Sequence, residues 1–232
     1  TLMPLALPIV GPHFEKNETK EVDLIAKQIA KWVIAINAFV LIVILFFPGT
    51  IIRIIFGIKY FQSTTALSLL SIGFFISSLV PLLMVFLSLY ERSKLILLNS
   101  LIALIINLLL NLILIPKYGI VGAAIATAIS NLVLFLLLVI ETFSLHRTNL
   151  FSLKMISIGL SALLPIILIA VFRYLFPHNI FVLTAAVLIS FIAYIISLIK
   201  LKVIDSADKD ILKSFEEKIN VKIPRIIFKF IK

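Results

Sequence analysis

Six apolar runs constrain this chain more than any other feature. They cover approximately Trp32 to Ile52, Ala66 to Leu89, Leu95 to Ile115, Ile120 to Ile140, Ser152 to Phe172 and Asn179 to Ile199, and carry charge only at their edges. At ~1.5 Å of rise per residue, a helix of about 20 residues crosses a ~30 Å hydrocarbon core. Inside such a core every backbone N–H and C=O must be paired within the segment, so each run is expected to be a helix. The fold class expected is therefore all-α, a polytopic transmembrane helix bundle. Composition agrees: 62% of the 232 residues are hydrophobic and 14% charged, against about 45–50% and about 25% in water-soluble domains. A water-soluble globular enzyme is excluded. Zero cysteines also exclude disulfides, thiol catalysis and Cys-ligated zinc.

The chain opens on Thr1 and runs straight into the apolar stretch Leu2 to Val10, interrupted by Pro4 and Pro8. No basic segment precedes this stretch, so it does not read as a signal peptide. Residues 1–10 are expected to be the end of a truncated transmembrane span, which makes six full spans plus the end of a seventh. The sequence then reads as the carboxy-terminal portion of a longer protein.

The net charge of +10 acquires a meaning once it is placed along the chain. Lysine and arginine set orientation through the connecting segments, because cations are retained on the cytoplasmic side. Of the 21 cations, one set of alternate segments holds 17, among them Lys16, Lys20, Lys27, Lys31, Arg92, Lys94, Arg147, Lys154 and nine in the tail. The other set holds Arg53, Lys59, Lys117 and Arg173. The first set is therefore expected in the cytoplasm, with the carboxyl terminus beside it, in a multi-pass protein of the cell membrane. The surplus reports orientation and gives no reason to invoke nucleic acid.

The organisation expected has five parts. After residues 1–10 comes a cytoplasmic linker and amphipathic helix at 11–31, where Val22, Ile25, Ile29 and Val33 recur at helical spacing beside Lys20, Lys27 and Lys31. Four spans fill 32–140 and two more fill 141–200. A basic amphipathic tail occupies 201–232, with Ile211, Phe215 and Ile219 on one face and Pro224 as a break. Its cations serve either as a plain orientation signal or as a contact with anionic inner-leaflet lipids.

Catalytic signals are missing from the sequence. His13 and His146 fall on the inner side and His178 on the outer one, and no Ser/His/Asp set, carboxylate pair, phosphate loop or metal-ligand spacing occurs. No enzymatic role, metal or cofactor is expected. The spans do carry amides, hydroxyls and small residues in a pattern. Asn107 and Asn111, four apart, share a helix face, while Asn99 on the same run is rotated away. An amide in hydrocarbon needs a partner, so this pair is either interhelical glue or the lining of a polar path. On the following run Gly122, Ala126 and Ser130 form one small-residue ridge, and Gly119, Ala123 and Thr127 form another, which suits close helix packing. Pro81 and Pro165 fall inside spans, where each removes a backbone hydrogen bond.

The run from Asn107 to Ser130, NLLLNLILIPKYGIVGAAIATAIS, resembles the signature of the polysaccharide-exporter and lipid-linked oligosaccharide flippase families of the multidrug/oligosaccharidyl-lipid/polysaccharide superfamily. The matching positions are Asn107, Asn111, Pro116, Lys117, Tyr118, Gly119, Gly122, Ala123, Ala124, Ala126 and Thr127. Upstream, Ile51 to Tyr60 is similar to the family's outer loop, an apolar run followed by Phe56, Gly57 and Tyr60. The resemblance covers residues 1 to 150 and implies the carboxy-terminal lobe of a two-lobed transporter with a central cavity open alternately to either side. It implies a flippase that moves a lipid-linked glycan from the cytoplasmic to the outer leaflet, working with an amino-terminal lobe of the same protein. Asn107, Asn111, Tyr90 and Arg92 are the substrate-path candidates. Arg92, at the cytoplasmic end of its span, serves either as an anchor or as a partner for the lipid phosphate. A multidrug or small-solute antiporter of the same superfamily is the nearest alternative, and a non-transporting membrane scaffold subunit a more distant one.

Overall fold

The computed structural model describes residues 10–16, 18–146, 152–176, 180–204 and 208. Every regular element among these residues is helical. The stretch Leu2 to Val10 lies outside them except for Val10, as does the tail face formed by Ile211, Phe215 and Ile219.

Helix α1 runs Thr19–Phe46 without interruption. It contains neither Gly nor Pro and therefore has no internal breaker. The amphipathic segment and the first apolar run are one continuous rod, with no turn at Trp32. Val22, Ala26, Ile29 and Ala30 are buried, which places the apolar stripe of the amphipathic segment against protein. The rod ends at Phe47, where the backbone leaves the helical region and Pro48 opens the short helix α2, Pro48–Ile55. A 3-10 segment, Ile58–Ser63, then leads into α3, Thr64–Ile76.

Between α3 and α4, Val80–Leu89, the chain tightens into a 3-10 turn at Ser77–Leu79. Pro81 is the cause. It has no N–H to offer the Ser77 carbonyl, which is taken instead by the N–H of Val80. Pro165, by contrast, lies within an unbroken helix.

Helix α5, Ser93–His146, is two arms joined at Gly119, whose φ of 55° and ψ of −132° are non-helical. Only glycine enters that region without strain. The arms run antiparallel: a Cβ placed on Gly122 would lie 2.3 Å from the carbonyl oxygen of Leu114. Two further helices follow among the described residues, α6 at Leu153–Leu175 and α7 at Ile180–Lys200.

The chain divides into two compact units. Among the described residues one unit holds 36–146 and the other holds 10–35, 152–204 and 208. In the first, α3 meets the second arm of α5 so closely that a Cβ on Gly73 would lie 2.7 Å from the Cα of Ala128. In the second, α6 and α7 pair, and the Tyr194 hydroxyl of α7 donates to the Ala35 carbonyl of α1 at 2.9 Å.

The interior is largely apolar, but several polar groups share it while many large apolar side chains face outward. Asn99, Ser130, Ser161 and Ser190 are buried, whereas Leu104, Leu108 and Leu112 are each more than half exposed. Polar groups turned inward and leucines turned outward suit a lipid surround, where a bare amide is costly and a bare leucine is not. Among the described residues five helical segments are long and apolar enough to cross a membrane: Lys20–Phe46, Ile58–Leu89, Ser93–Ser144, Lys154–Leu175 and Phe181–Lys200. The third of these contains the Gly119 fold-back and thus holds both of the apolar runs predicted on either side of it. The protein is a multi-pass membrane protein.

Candidate functional site

Asn111, Asn107 and Ser130 form a hydrogen-bonded ladder in the α5 hairpin, set among small residues. Both arms place such residues four apart. On the first arm Asn99, Ala103, Asn107 and Asn111 follow one another at that spacing. On the second arm Gly122, Ala126 and Ser130 do so, and all three are buried. Rows four apart are ridges inclined to the helix axis, and such ridges interlock when two helices cross.

Asn107 Nδ2 donates across the hairpin to Ser130 Oγ at 3.0 Å, and Asn111 Nδ2 donates to Asn107 Oδ1 at 2.9 Å. The Ser130 hydroxyl in turn donates to the Thr127 carbonyl at 3.0 Å, and Thr127 Oγ1 donates to the Ala123 carbonyl at 2.9 Å. One valence stays open: Asn111 Oδ1 is buried and has no hydrogen-bond partner. An unmet acceptor of this kind costs about 1–3 kcal/mol, and a water or a ligand hydroxyl reaching it would recover that cost.

The two predicted small-residue ridges differ. Gly122, Ala126 and Ser130 lie inside the hairpin, whereas Ala123 and Thr127 are only half-buried and Gly119 is exposed at the turn. Gly119 acts through its backbone angles rather than through packing.

Tyr90 and Arg92 lie elsewhere. Tyr90 closes α4, the exposed Glu91 takes a positive φ of 58°, and the Arg92 N–H donates to the Leu87 carbonyl at 2.8 Å. Arg92 is exposed. Fifteen residues of helix separate it from Asn107, roughly 22 Å at ~1.5 Å per residue. The structure does not bring the aromatic–cation pair and the amides into one site.

Two polar contacts escaped the sequence reading. Asn99, only 2% exposed, donates through Nδ2 to Glu141 Oε2 at 2.6 Å and fixes the open end of the hairpin. An angular estimate along a straight axis sets Asn99 apart from Asn107, but the inclined ridge of every fourth residue carries both.

The second contact is a buried ion pair. Lys31 Nζ lies 2.6 Å from Asp208 Oδ1 and donates to Oδ2 at 2.7 Å, while the Trp32 indole N–H donates to Oδ1 at 2.9 Å. The side chains of Lys31 and Asp208 are 3% and 0% exposed. Lys31 counts in the sequence as one of the expected cytoplasmic cations, and the structure shows it sequestered by an acid 177 residues away. Without Lys31 the sequence count is sixteen cations against four.

Among the described residues no three His, Asp or Glu side chains gather as metal ligands. No family model matches the chain. It is 26% identical over 209 residues to an uncharacterized membrane protein of Methanocaldococcus jannaschii, MJ1068. The match takes in 88% of this chain and 41% of that protein, so the chain spans well under half the length of this relative.

Proposed function

We propose that this chain is a lobe of a transporter that moves a lipid-linked oligosaccharide or polysaccharide precursor between leaflets by alternating access, without enzymatic chemistry. The observation that carries the reading is the α5 hairpin. The residues bearing the family resemblance, Asn107 to Ser130, form one antiparallel pair with Gly119 at the turn and one open acceptor, Asn111 Oδ1, in its ladder. A glycan needs polar partners along its path because its hydroxyls cannot be left unpaired in hydrocarbon, whereas the isoprenoid tail stays in lipid. Counting the two arms of α5 separately gives six crossings for the lobe. In this reading the carboxyl terminus is cytoplasmic, which the charge asymmetry supports, and the tail cations meet anionic lipid. Arg92, exposed before the first arm of α5, suits the lipid phosphate. A second lobe of the same protein completes the cavity.

The test is a deletion strain scored for the sidedness of its lipid-linked glycan. Accumulation on the cytoplasmic leaflet, relieved by the wild-type gene, supports the reading. Unchanged glycan export in a strain lacking any paralogue overturns it.

A further inference from the structure

The chain between α1 and α3, residues 47–63, is not needed for either flanking crossing, although the apolar stretch of the second begins already at Ile58. Helix α1 supplies 28 residues and the α3–α4 segment from Thr64 to Leu89 is of similar length. Each is long enough by itself to traverse the hydrocarbon at ~1.5 Å per residue. Residues 47–63 are thus left over for one membrane face.

They fold back on themselves there. Gly57, with φ of 89°, reverses the chain after α2, and the 3-10 segment returns along α2 so that the Phe61 ring lies against Gly49, 2.8 Å from where a Cβ would be. Phe56 and Tyr60 meet edge to face with ring centroids 6.2 Å apart. This small element leaves Ile54, Ile55, Phe56, Ile58, Tyr60 and Phe61 between 52 and 71% exposed, and only Ile52 of α2 is buried. Arg53 and Lys59, both exposed, are its only charges, and it contains no acid.

We infer that residues 47–63 form an interfacial foot seated in the headgroup layer of the leaflet at this end of the protein. The occupant of its apolar face is lipid. The isoleucines and Phe56 enter the acyl boundary, Tyr60 takes the position aromatic residues favour at the interface, and Arg53 and Lys59 meet the lipid phosphates. The turn at Gly57 is what lets one short segment present all of these together. The inference stands on the two flanking crossings and is independent of the transported cargo.

The absence of native cysteine makes the test direct. Single-cysteine variants Phe56→Cys, Ile58→Cys and Tyr60→Cys are spin-labelled and placed in phosphatidylethanolamine/phosphatidylglycerol nanodiscs. Collision with oxygen and with a water-soluble nickel chelate is then measured. Lys117→Cys, at the hairpin turn, and Leu108→Cys, at mid-arm, calibrate depth. The foot is supported when the three labels have an oxygen-to-nickel ratio several-fold above that of Lys117→Cys and below that of Leu108→Cys. Nickel accessibility equal to that of Lys117→Cys overturns it, because the loop is then in water. Low accessibility to both reagents also overturns it, because protein then covers the face. Three positions guard against one variant failing to insert.

Discussion

The two units are held together by different chemistry. In residues 36–146 the interior polar contacts are mostly neutral: an amide ladder, back-bonded hydroxyls and glycines at close approach, with the Asn99–Glu141 contact at the margin of the hairpin. In the other unit a full ion pair, Lys31 with Asp208, is sequestered from solvent and braced by Trp32. A neutral ladder tolerates the loss of a rung, because a dangling amide in a bundle finds other partners and contributes under about 1–2 kcal/mol. A buried ion pair does not, because removing either partner strands the other charge.

The largest expected effect follows from that asymmetry. Asp208→Asn and Lys31→Met, each alone, should cost about 3–5 kcal/mol, seen as a large drop in the unfolding midpoint of the purified protein. The double variant Lys31→Met with Asp208→Leu removes both charges together and should regain most of the loss. If the double variant is as unstable as the sum of the single ones, the pair is not coupled and the contrast between the units fails.

Glycine gives a smaller effect of opposite sign in the two units. Gly122→Ala places a methyl 2.3 Å from the Leu114 carbonyl oxygen, and prying the arms of α5 apart should cost about 1–3 kcal/mol. Gly159→Ala in α6 meets nothing within 4 Å and should gain roughly 0.5–1 kcal/mol from better helix propensity. Equal shifts in midpoint for the two variants would show that the α5 arms are not in close contact.

Much of this was legible in the sequence, and the unread parts share a cause. Local signals survived. The apolar runs became helices, Pro116 and Gly119 marked the fold-back, and the ridge Gly122, Ala126 and Ser130 went inside. What failed were contacts between residues distant along the chain. Asp208 looked like one more acid in a basic tail, and Lys31 like one more cation at a membrane face. Nothing within a helical turn of either residue announces the other. Asn99 was missed for a geometric reason, since a face drawn parallel to the axis leaves it out while the ridge of every fourth residue includes it. The first five residues of the short α2, Pro48 to Ile52, were absorbed into the first apolar run, because hydropathy alone does not separate a segment within the core from one that caps it.

The smallest expected effect is the most informative about function, because it separates two amides that the sequence treats as equals. Asn107 holds two hydrogen bonds, one accepted from Asn111 and one donated to Ser130, whereas Asn111 holds one and buries an acceptor with no partner. As packing groups they are therefore unequal. Asn107→Leu should cost up to about 1–2 kcal/mol, and Asn111→Leu should cost distinctly less, because it also removes the unmet acceptor. The comparison is an unfolding midpoint for each variant beside its rate of glycan-lipid transport in the deletion strain. If Asn111→Leu slows transport while its midpoint holds, the open oxygen belongs to the cargo path. If instead stability falls for Asn111→Leu as it does for Asn107→Leu and transport follows it down, both amides are glue, and the polar path has to be sought on another helix.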